Sequence, residues 1–321
     1  MNAVTLRLGV TLRLGSRRSP MAIAQSSLVA QQIRDATGCK VELVGVTTLG
    51  DVSKAQLTQI GGTGVFVSAL RDALLNDEVD LAVHSLKDLP AVQPAEVALA
   101  AVPSRDDPRD ALVARDGAKL ADLPAGARVG TGSPRRAAQL LAIRTDLRCV
   151  PIRGNADTRM SKIGAGEVDA VVLAYAGLAR LGRLDAVTQV FEPDEMLPAP
   201  GQGALAVECR QADSELVRLL AAVNDELSMA ATTAERGLLE ALAAGCSAPV
   251  AAYAAVTNDG LDMHAAVMST DGSKVLRARG RGTSADARRL GGDLAAELLR
   301  AGAAELIRVP QAPVSTGNDV Q

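Results

Sequence analysis

Leu12-Arg13-Leu14-Gly15-Ser16-Arg17-Arg18-Ser19-Pro20 and Arg128-Val129-Gly130-Thr131-Gly132-Ser133-Pro134-Arg135-Arg136 follow one script. Each reads as a strand, a glycine-containing turn and a Ser-Pro that opens a helix. Serine is a strong N-cap, and proline suits the first helical position, where its missing N–H costs nothing. A helix start presents unpaired N–H groups and partial positive charge, and so attracts anions. Arginines placed at both starts predict two α/β units, each facing a negatively charged group.

The rest of the composition narrows the anion. The chain has 321 residues, room for roughly two or three domains. Its 48% hydrophobic and 22% charged content is that of an ordinary globular protein. Net charge is -3, so the arginines are local patches on a mildly acidic body, which argues against a general nucleic-acid binder. Two Phe, two Tyr and no Trp leave few platforms for stacking bases. Lysine is scarce (Lys40, Lys54, Lys87, Lys119, Lys162, Lys274), so most positive charge sits on arginine, whose planar fork matches carboxylate or phosphate. Genome composition is an equally good reason for the arginine total, though not for its placement.

Cys39, Cys149, Cys209 and Cys246 are widely spaced, and His84 and His264 are far apart, so no zinc pattern arises. Arg7 and Arg13 interrupt the N-terminal apolar run, which removes a signal-peptide core, and no apolar run approaches the ~18 residues of a membrane span. A reduced, cytoplasmic setting is expected, with no metal, membrane or nucleic-acid partner.

Val4–Gly9 is repeated at once as Val10–Gly15. The second copy is expected to be the first strand, since the Ser-Pro start follows it. Strands and helices then alternate: a helix over 20–36, a strand over 41–47, a helix over 65–75 and a short strand over 79–83. After the Pro/Asp/Arg-rich stretch 103–110 the pattern restarts with strands near 127–130, 148–152 and 169–174 and helices near 134–144 and 157–165. A Pro/Gly-rich stretch, 193–203, precedes another strand at 204–209. Such alternation predicts parallel sheets flanked by helices. The two crossing stretches predict a middle unit inserted into the first across a cleft. We expect domain 1 over 1–104 and 204–223, domain 2 over 105–203, and a small α+β domain over 224–321 that opens with a helix near 226–243.

Candidate chemistry lies at strand ends. The 79–83 strand runs into His84-Ser85-Leu86-Lys87-Asp88-Leu89-Pro90. Ligands of open α/β sheets sit beyond the carboxyl ends of strands, which puts Lys87 and Asp88 in position; a solvated turn is the plainer alternative. Ile152-Arg153-Gly154-Asn155-Ala156-Asp157-Thr158-Arg159 offers two arginines at another strand end, with Asn155 or Asp157 as helix cap. Arg180 follows the 169–174 strand. Cys246, in Ala244-Gly245-Cys246-Ser247-Ala248-Pro249, sits past a helix C-terminus, whose partial negative charge raises a thiol's pKa. Read alone it is a buried loop cysteine.

Taken together, LGSRRSPMAIAQ, TTLGD, GGTGVFVSAL, DLAVHSLKDLP, RDDPRDAL, VGTGSPRRAAQL, IRGNADTR, LAYAGLARLG, LPAPGQGALAVECR and GCSAPV are in order and in register. Over about residues 12–308 the chain resembles the porphobilinogen deaminase (hydroxymethylbilane synthase) family. The resemblance implies two periplasmic-binding-protein-like α/β domains around a cleft plus the small C-terminal α+β domain. It also implies a dipyrromethane cofactor in thioether linkage to Cys246, and a monomer. The implied reaction deaminates four porphobilinogen molecules and joins them head to tail, releasing ammonia and hydroxymethylbilane. By the same resemblance Asp88 is the catalytic aspartate. Arg17, Ser19, Lys87, Ser133, Arg135, Arg136, Arg153, Gly154, Asn155, Arg159 and Arg180 bind cofactor and substrate, and Phe66 packs over a pyrrole ring or in the core. The chain departs from the family pattern at Gln59, Thr63, Gly132 and Pro134, which leaves fewer cationic or polar contacts to pyrroles. A two-domain carboxylate-binding protein without chemistry is the alternative.

Overall fold

The computed structural model describes residues 11–46, 64–245 and 247–307, with side chains except at 64–66. The first copy of the N-terminal duplication, Gln59, Thr63, the Phe66 side chain and Cys246 therefore lie outside what is described.

The first unit opens with β1 (Thr11–Arg17), α1 (Pro20–Thr37) and β2 (Lys40–Val46), continues with α2 (Gly64–Leu75) and β3 (Leu81–Ser85), and reaches β4 (Val97–Ala101). Ser19 caps α1 by accepting from the Ala22 N–H, Pro20 holds the first turn, and Gly38 closes the helix at φ +72°. β1 alternates: Leu12 and Leu14 are fully buried against Val29, Ala30 and Ile33 of α1. Arg13, between them, turns out to the Asp80 carboxylate at 2.9 Å. Alternation of this kind is what fixes strand register.

The second unit contains β5 (Asp110–Ala114), β6 (Arg128–Gly130), α3 (Pro134–Ile143), β7 (Arg148–Val150), α4 (Ala156–Gly164), β8 (Ala170–Ala174), α5 (Tyr175–Arg180) and β9 (Gln189–Val190), in the sheet order β7-β6-β8-β5-β9. The chain then returns as β10 (Leu205–Arg210), which lies between β3 and β4 and completes the order β2-β1-β3-β10-β4. After α6 (Ser214–Leu220), the C-terminal part is α7 (Glu226–Ala241), the antiparallel meander β11 (Val250–Thr257), β12 (Gly260–Met268) and β13 (Val275–Gly282), and helices α8 (Ala287–Arg300) and α9 (Ala303–Ile307). Its core joins Ala234 and Leu238 of α7 to Met263, Ala265 and Leu294. Its outer sheet face meets Ala138 of α3 and Leu197 through Ala251, Ala266 and Met268.

The two α/β sheets are mixed, not parallel as expected. β1, β2 and β3 pair in parallel, but β10 runs antiparallel to β3 and β4, and β5 runs antiparallel to β8 and β9. The cause is the double crossing: each sheet accepts a strand from the segment that has just passed between the units, and that strand enters from the opposite end. The stretch read as a plain crossing also ends inside a strand, because Asp110 begins β5.

Where the two crossings touch, the backbones nearly meet. Gly203 has φ +88°, and a Cβ there would lie 2.5 Å from the Asp106 carbonyl oxygen. Both the dihedral and the contact exclude a side chain. Gly203→Ala is expected to lower stability by about 1–3 kcal/mol, measured from the urea midpoint; an unchanged midpoint contradicts this account of the crossing.

Candidate active site

β3 delivers Ser85 to a single turn of 3-10 helix, Leu86–Asp88. Leu86 and Leu89 are buried, and the Leu86 N–H donates to the Ala204 carbonyl at 3.0 Å, so the loop is pinned to the second crossing. Between these anchors Lys87 is half-buried and Asp88 is exposed. Among the described residues no hydrogen bond or ion pair engages the Asp88 carboxylate.

Behind the loop lies a buried polar cluster. Glu208 of β10, fully buried, accepts from Arg71 Nε and Nη2 at 3.0 and 2.7 Å and from Gln93 Nε2 at 2.5 Å. His84 Nε2 stands 3.3 Å from the same carboxylate. Burial alone would push the Glu208 carboxyl up, but His84 and Arg71 hold it down at about 2. His84 is thus occupied inside the first unit, on the inner side of the loop.

The second wall starts at α3. Ser133 accepts from the Arg136 N–H at 3.4 Å, and Pro134 occupies the first turn. Arg135 and Arg136 are 3% and 5% exposed, which leaves them almost no direct access to solvent. Their near partner is Asp110, wholly buried at the start of β5. Arg135 Nη1 donates to Oδ2 at 2.8 Å, and Arg136 donates to Oδ1 from Nε at 2.9 Å and from Nη2 at 2.7 Å. Arg135 also reaches the Leu197 carbonyl and Arg136 the Val172 carbonyl. Burial favours a neutral Asp110, yet the two guanidinium charges keep its carboxyl far below the usual carboxylate range. Removing one partner of such a group strands a buried charge, at a cost of roughly 3–5 kcal/mol.

One buried carboxylate does not balance the cations around it. Lys87 is pushed down to about 8, first by burial and then by the positive charge of Arg136, with Asp88 and Asp110 opposing. Arg159 is lowered by burial and again by Arg136. Arg136 therefore repels both Lys87 and Arg159, although the three come from separate elements. An anion placed among them relieves that repulsion, and a perturbed cluster of this kind marks a functional site.

The other expected site residues divide. Asn155 caps α4 by accepting from the Thr158 N–H at 2.8 Å, and Arg159 Nε donates to the Gly154 carbonyl at 2.8 Å. Arg153 is exposed beside them. Arg17 is half-buried at the end of β1, and the Ser19 hydroxyl is used by its own helix cap. Arg180 is held at the crossings: Nε and Nη2 meet Asp106 at 2.8 and 2.7 Å, and Nη2 donates to the Gly203 carbonyl at 2.6 Å. Gly132 has a local reason, since a Cβ there would stand 2.9 Å from the Ile152 carbonyl oxygen.

Sequence reading missed Asp110, Gln202, Arg105 and Glu235. Arg105, on the first crossing, forms a bidentate pair with the fully buried Glu235 of α7 at 2.7 and 3.1 Å and lies 5.4 Å from the centre of the Tyr253 ring. Glu235 also accepts from the Gly201 and Ala254 N–H groups at 2.6 and 2.9 Å. It thereby ties both crossings to the C-terminal part. The signal available in sequence was the arginine and aspartate density of 105–110, read there only as linker chemistry.

Fold and site define a two-lobed α/β protein whose facing elements gather a surplus of positive charge at a strand end. The sequence matches the family model described as "Porphobilinogen deaminase, dipyromethane cofactor binding domain" over residues 12–218 and that described as "Porphobilinogen deaminase, C-terminal domain" over 229–300. It is 59% identical to the porphobilinogen deaminase of Thermobifida fusca, over 92% of this chain and 95% of that one. It is 56% identical to porphobilinogen deaminase 1 of Streptomyces coelicolor (92% and 97% covered) and 51% identical to the porphobilinogen deaminase of Mycobacterium marinum (92% and 96%). Among solved structures it is similar to a VFT2 domain of Bordetella pertussis BvgS, with TM-score 0.40 and 19% identity over 66% of this chain and 86% of that one. The chain belongs to the porphobilinogen deaminase family.

The Lys87 environment has a measurable sign. Its folded value, about 8, lies below the ordinary 10.5, so the folded state releases this proton first. Below pH 8 both states hold it and the burial penalty is present in full. As pH rises from about 8 toward 10.5 the penalty is lifted and stability gains. The stability of the cofactor-free protein relative to cofactor-free Lys87→Met is therefore expected to rise across that window by up to about 3 kcal/mol, read from urea midpoints. A difference that is flat or falls with pH contradicts the assigned environment.

Proposed function

We propose that Asp88 is the catalytic carboxylate of a porphobilinogen-polymerising enzyme and that Cys246 carries its covalent dipyrromethane cofactor. The chain is a porphobilinogen deaminase-family enzyme of tetrapyrrole biosynthesis, and the matched model names a dipyrromethane cofactor-binding domain. The observation that carries the residue assignment is the contrast at the HSLKDLP loop: a carboxylate without a described protein partner stands next to a lysine crowded by cations.

The residues suit the chemistry. Porphobilinogen bears an acetate and a propionate, so every added pyrrole brings two carboxylates. Lys87, Arg136 and Arg159 supply the surplus positive charge such groups need, and Arg17 and Arg153 stand at the ends of β1 and β7. Charge-assisted contacts from arginine forks are the strong kind of hydrogen bond. When bound, the dipyrromethane supplies a nucleophilic pyrrole carbon onto which the first unit is joined. Lys87 and Arg159 would hold its carboxylates, with Arg136, spent on Asp110 and the Val172 carbonyl, adding positive charge from behind them. Cys246 lies in sequence after the helix that carries Glu235.

Asp88 would act on the substrate. Loss of ammonia from the aminomethyl group leaves a cationic azafulvene. The Asp88 carboxylate can accept hydrogen bonds from pyrrole N–H groups and offset that charge as it develops. It would also take up the proton released when the coupled ring regains aromaticity. Arg135 is assigned to packing more than to direct contact, since it is already spent on Asp110 and Leu197. A monomer in the cytoplasm belongs to the same reading.

Intact mass under denaturing conditions is expected to show an adduct on the holoprotein that digestion maps to Cys246. Asp88→Asn is expected to keep the fold and the adduct while losing at least about a hundredfold in turnover, the usual scale for removing such a group. An unmodified protein with full activity overturns the Cys246 assignment, and near-normal product formation by Asp88→Asn overturns the role of Asp88.

A further inference from the structure

The second crossing carries one side chain that reaches Lys87, Arg136 and Asp110 at once. Gln202 is 1% exposed, which means its amide has only protein to bond. Its Nε2 donates to the Pro108 carbonyl at 2.7 Å, to Asp110 Oδ1 at 3.0 Å and toward the Arg109 carbonyl at 3.4 Å. Its Oε1 accepts from Lys87 Nζ and from Arg136 Nη2, both at 3.4 Å. The opposite orientation of the amide would set N–H groups against two cations and an oxygen against three acceptors, so the direction is fixed by its surroundings.

The backbone beneath it is equally held. The Gly201 N–H donates to Glu235, the Gln202 carbonyl accepts from Arg105 Nε at 2.9 Å, and the Gly203 carbonyl accepts from Arg180. Three consecutive residues are thus gripped by the C-terminal helix α7, the first crossing and the second unit. A side chain on so rigid a base transmits position.

We propose that Gln202 is a positioning residue that sets Lys87, on the catalytic loop of the first unit, against Arg136, on the wall of the second, and so fixes the spacing at which the cleft holds pyrrole carboxylates. The inference rests on the proposed function. Gln202 acts through Lys87 and Arg136, and its Oε1 is the part that does so. Its Nε2 serves only to lock that oxygen in place from Asp110 and Pro108.

The test uses holoprotein preparations of the native chain, Gln202→Met, Lys87→Met and the double variant. Each is scored by intact mass for the fraction carrying the adduct and by kinetics for kcat and KM. An adduct on the native chain reports on the proposed function; the comparison among variants reports on Gln202. Gln202→Met is expected to cut the loaded fraction at least threefold and kcat at least tenfold with KM within threefold. The double variant is expected to be little worse than Lys87→Met alone. Losses that multiply in the double variant would mean a general structural role and overturn the proposal. Gln202→Asn keeps both ends of the amide but withdraws its oxygen by one methylene from Lys87 and Arg136, and covers the case in which Gln202→Met does not fold. It is expected to lower the loaded fraction and kcat in the same direction as Gln202→Met, and native loading with native kcat overturns the proposal.

Discussion

The buried carboxylate of Asp110 is the interaction on which the rest of the site depends. It sits at the first residue of β5, out of water, and receives two guanidinium groups and the Gln202 amide. A lone buried carboxylate would be expensive, and two adjacent buried arginines more so. Together they are tolerable, with one positive charge left over. That remainder faces Lys87 and Arg159, whose proton affinity is lowered first by burial and then by Arg136. The cleft wall is therefore set up for an anion by an internal pair, with the arginines oriented before any ligand arrives. Preorganised charge of this kind needs little rearrangement when carboxylates bind.

The crossings tie this electrostatics to the frame that joins the two units. Two strands of chain join the α/β units, and both are held by the same few side chains. Arg105 and Glu235 fasten them to α7, while Arg180 links Asp106 on one to Gly203 on the other. Arg180 is also one of the residues the family resemblance gives to substrate carboxylates, so a carboxylate that engaged it would compete with Asp106. An enzyme that must accommodate a chain growing by one pyrrole at a time needs walls that shift without losing register. The charge pairs that grip Gly201, Gln202 and Gly203 make the junction a fixed reference for both walls.

Much of this was legible in the sequence, for local reasons. The Ser-Pro helix starts at Ser19 and Ser133 are found as read, because capping is decided within four residues. The helices read over 20–36 and near 226–243 are found at Pro20–Thr37 and Glu226–Ala241. Strand direction was not legible, because β10 and β5 owe their orientation to a crossing that no local pattern encodes. Asp110 was illegible for the same kind of reason: its partners lie 25 and 26 residues away, and its neighbours Pro108 and Arg109 resemble a linker. Arginine placement pointed to an anion and to strand ends. That Arg135 and Arg136 already have an internal carboxylate could be seen only once β5 lay beside β8.

The most direct measurement is a crystal structure of the holoprotein. The account expects pyrrole carboxylates within hydrogen-bond reach of Lys87 and Arg159, Asp88 facing the pyrrole nitrogens, and Asp110 still on both Arg135 and Arg136. A cofactor whose carboxylates lie away from Lys87 and Arg159, or an Asp110 displaced from its two arginines, would contradict it.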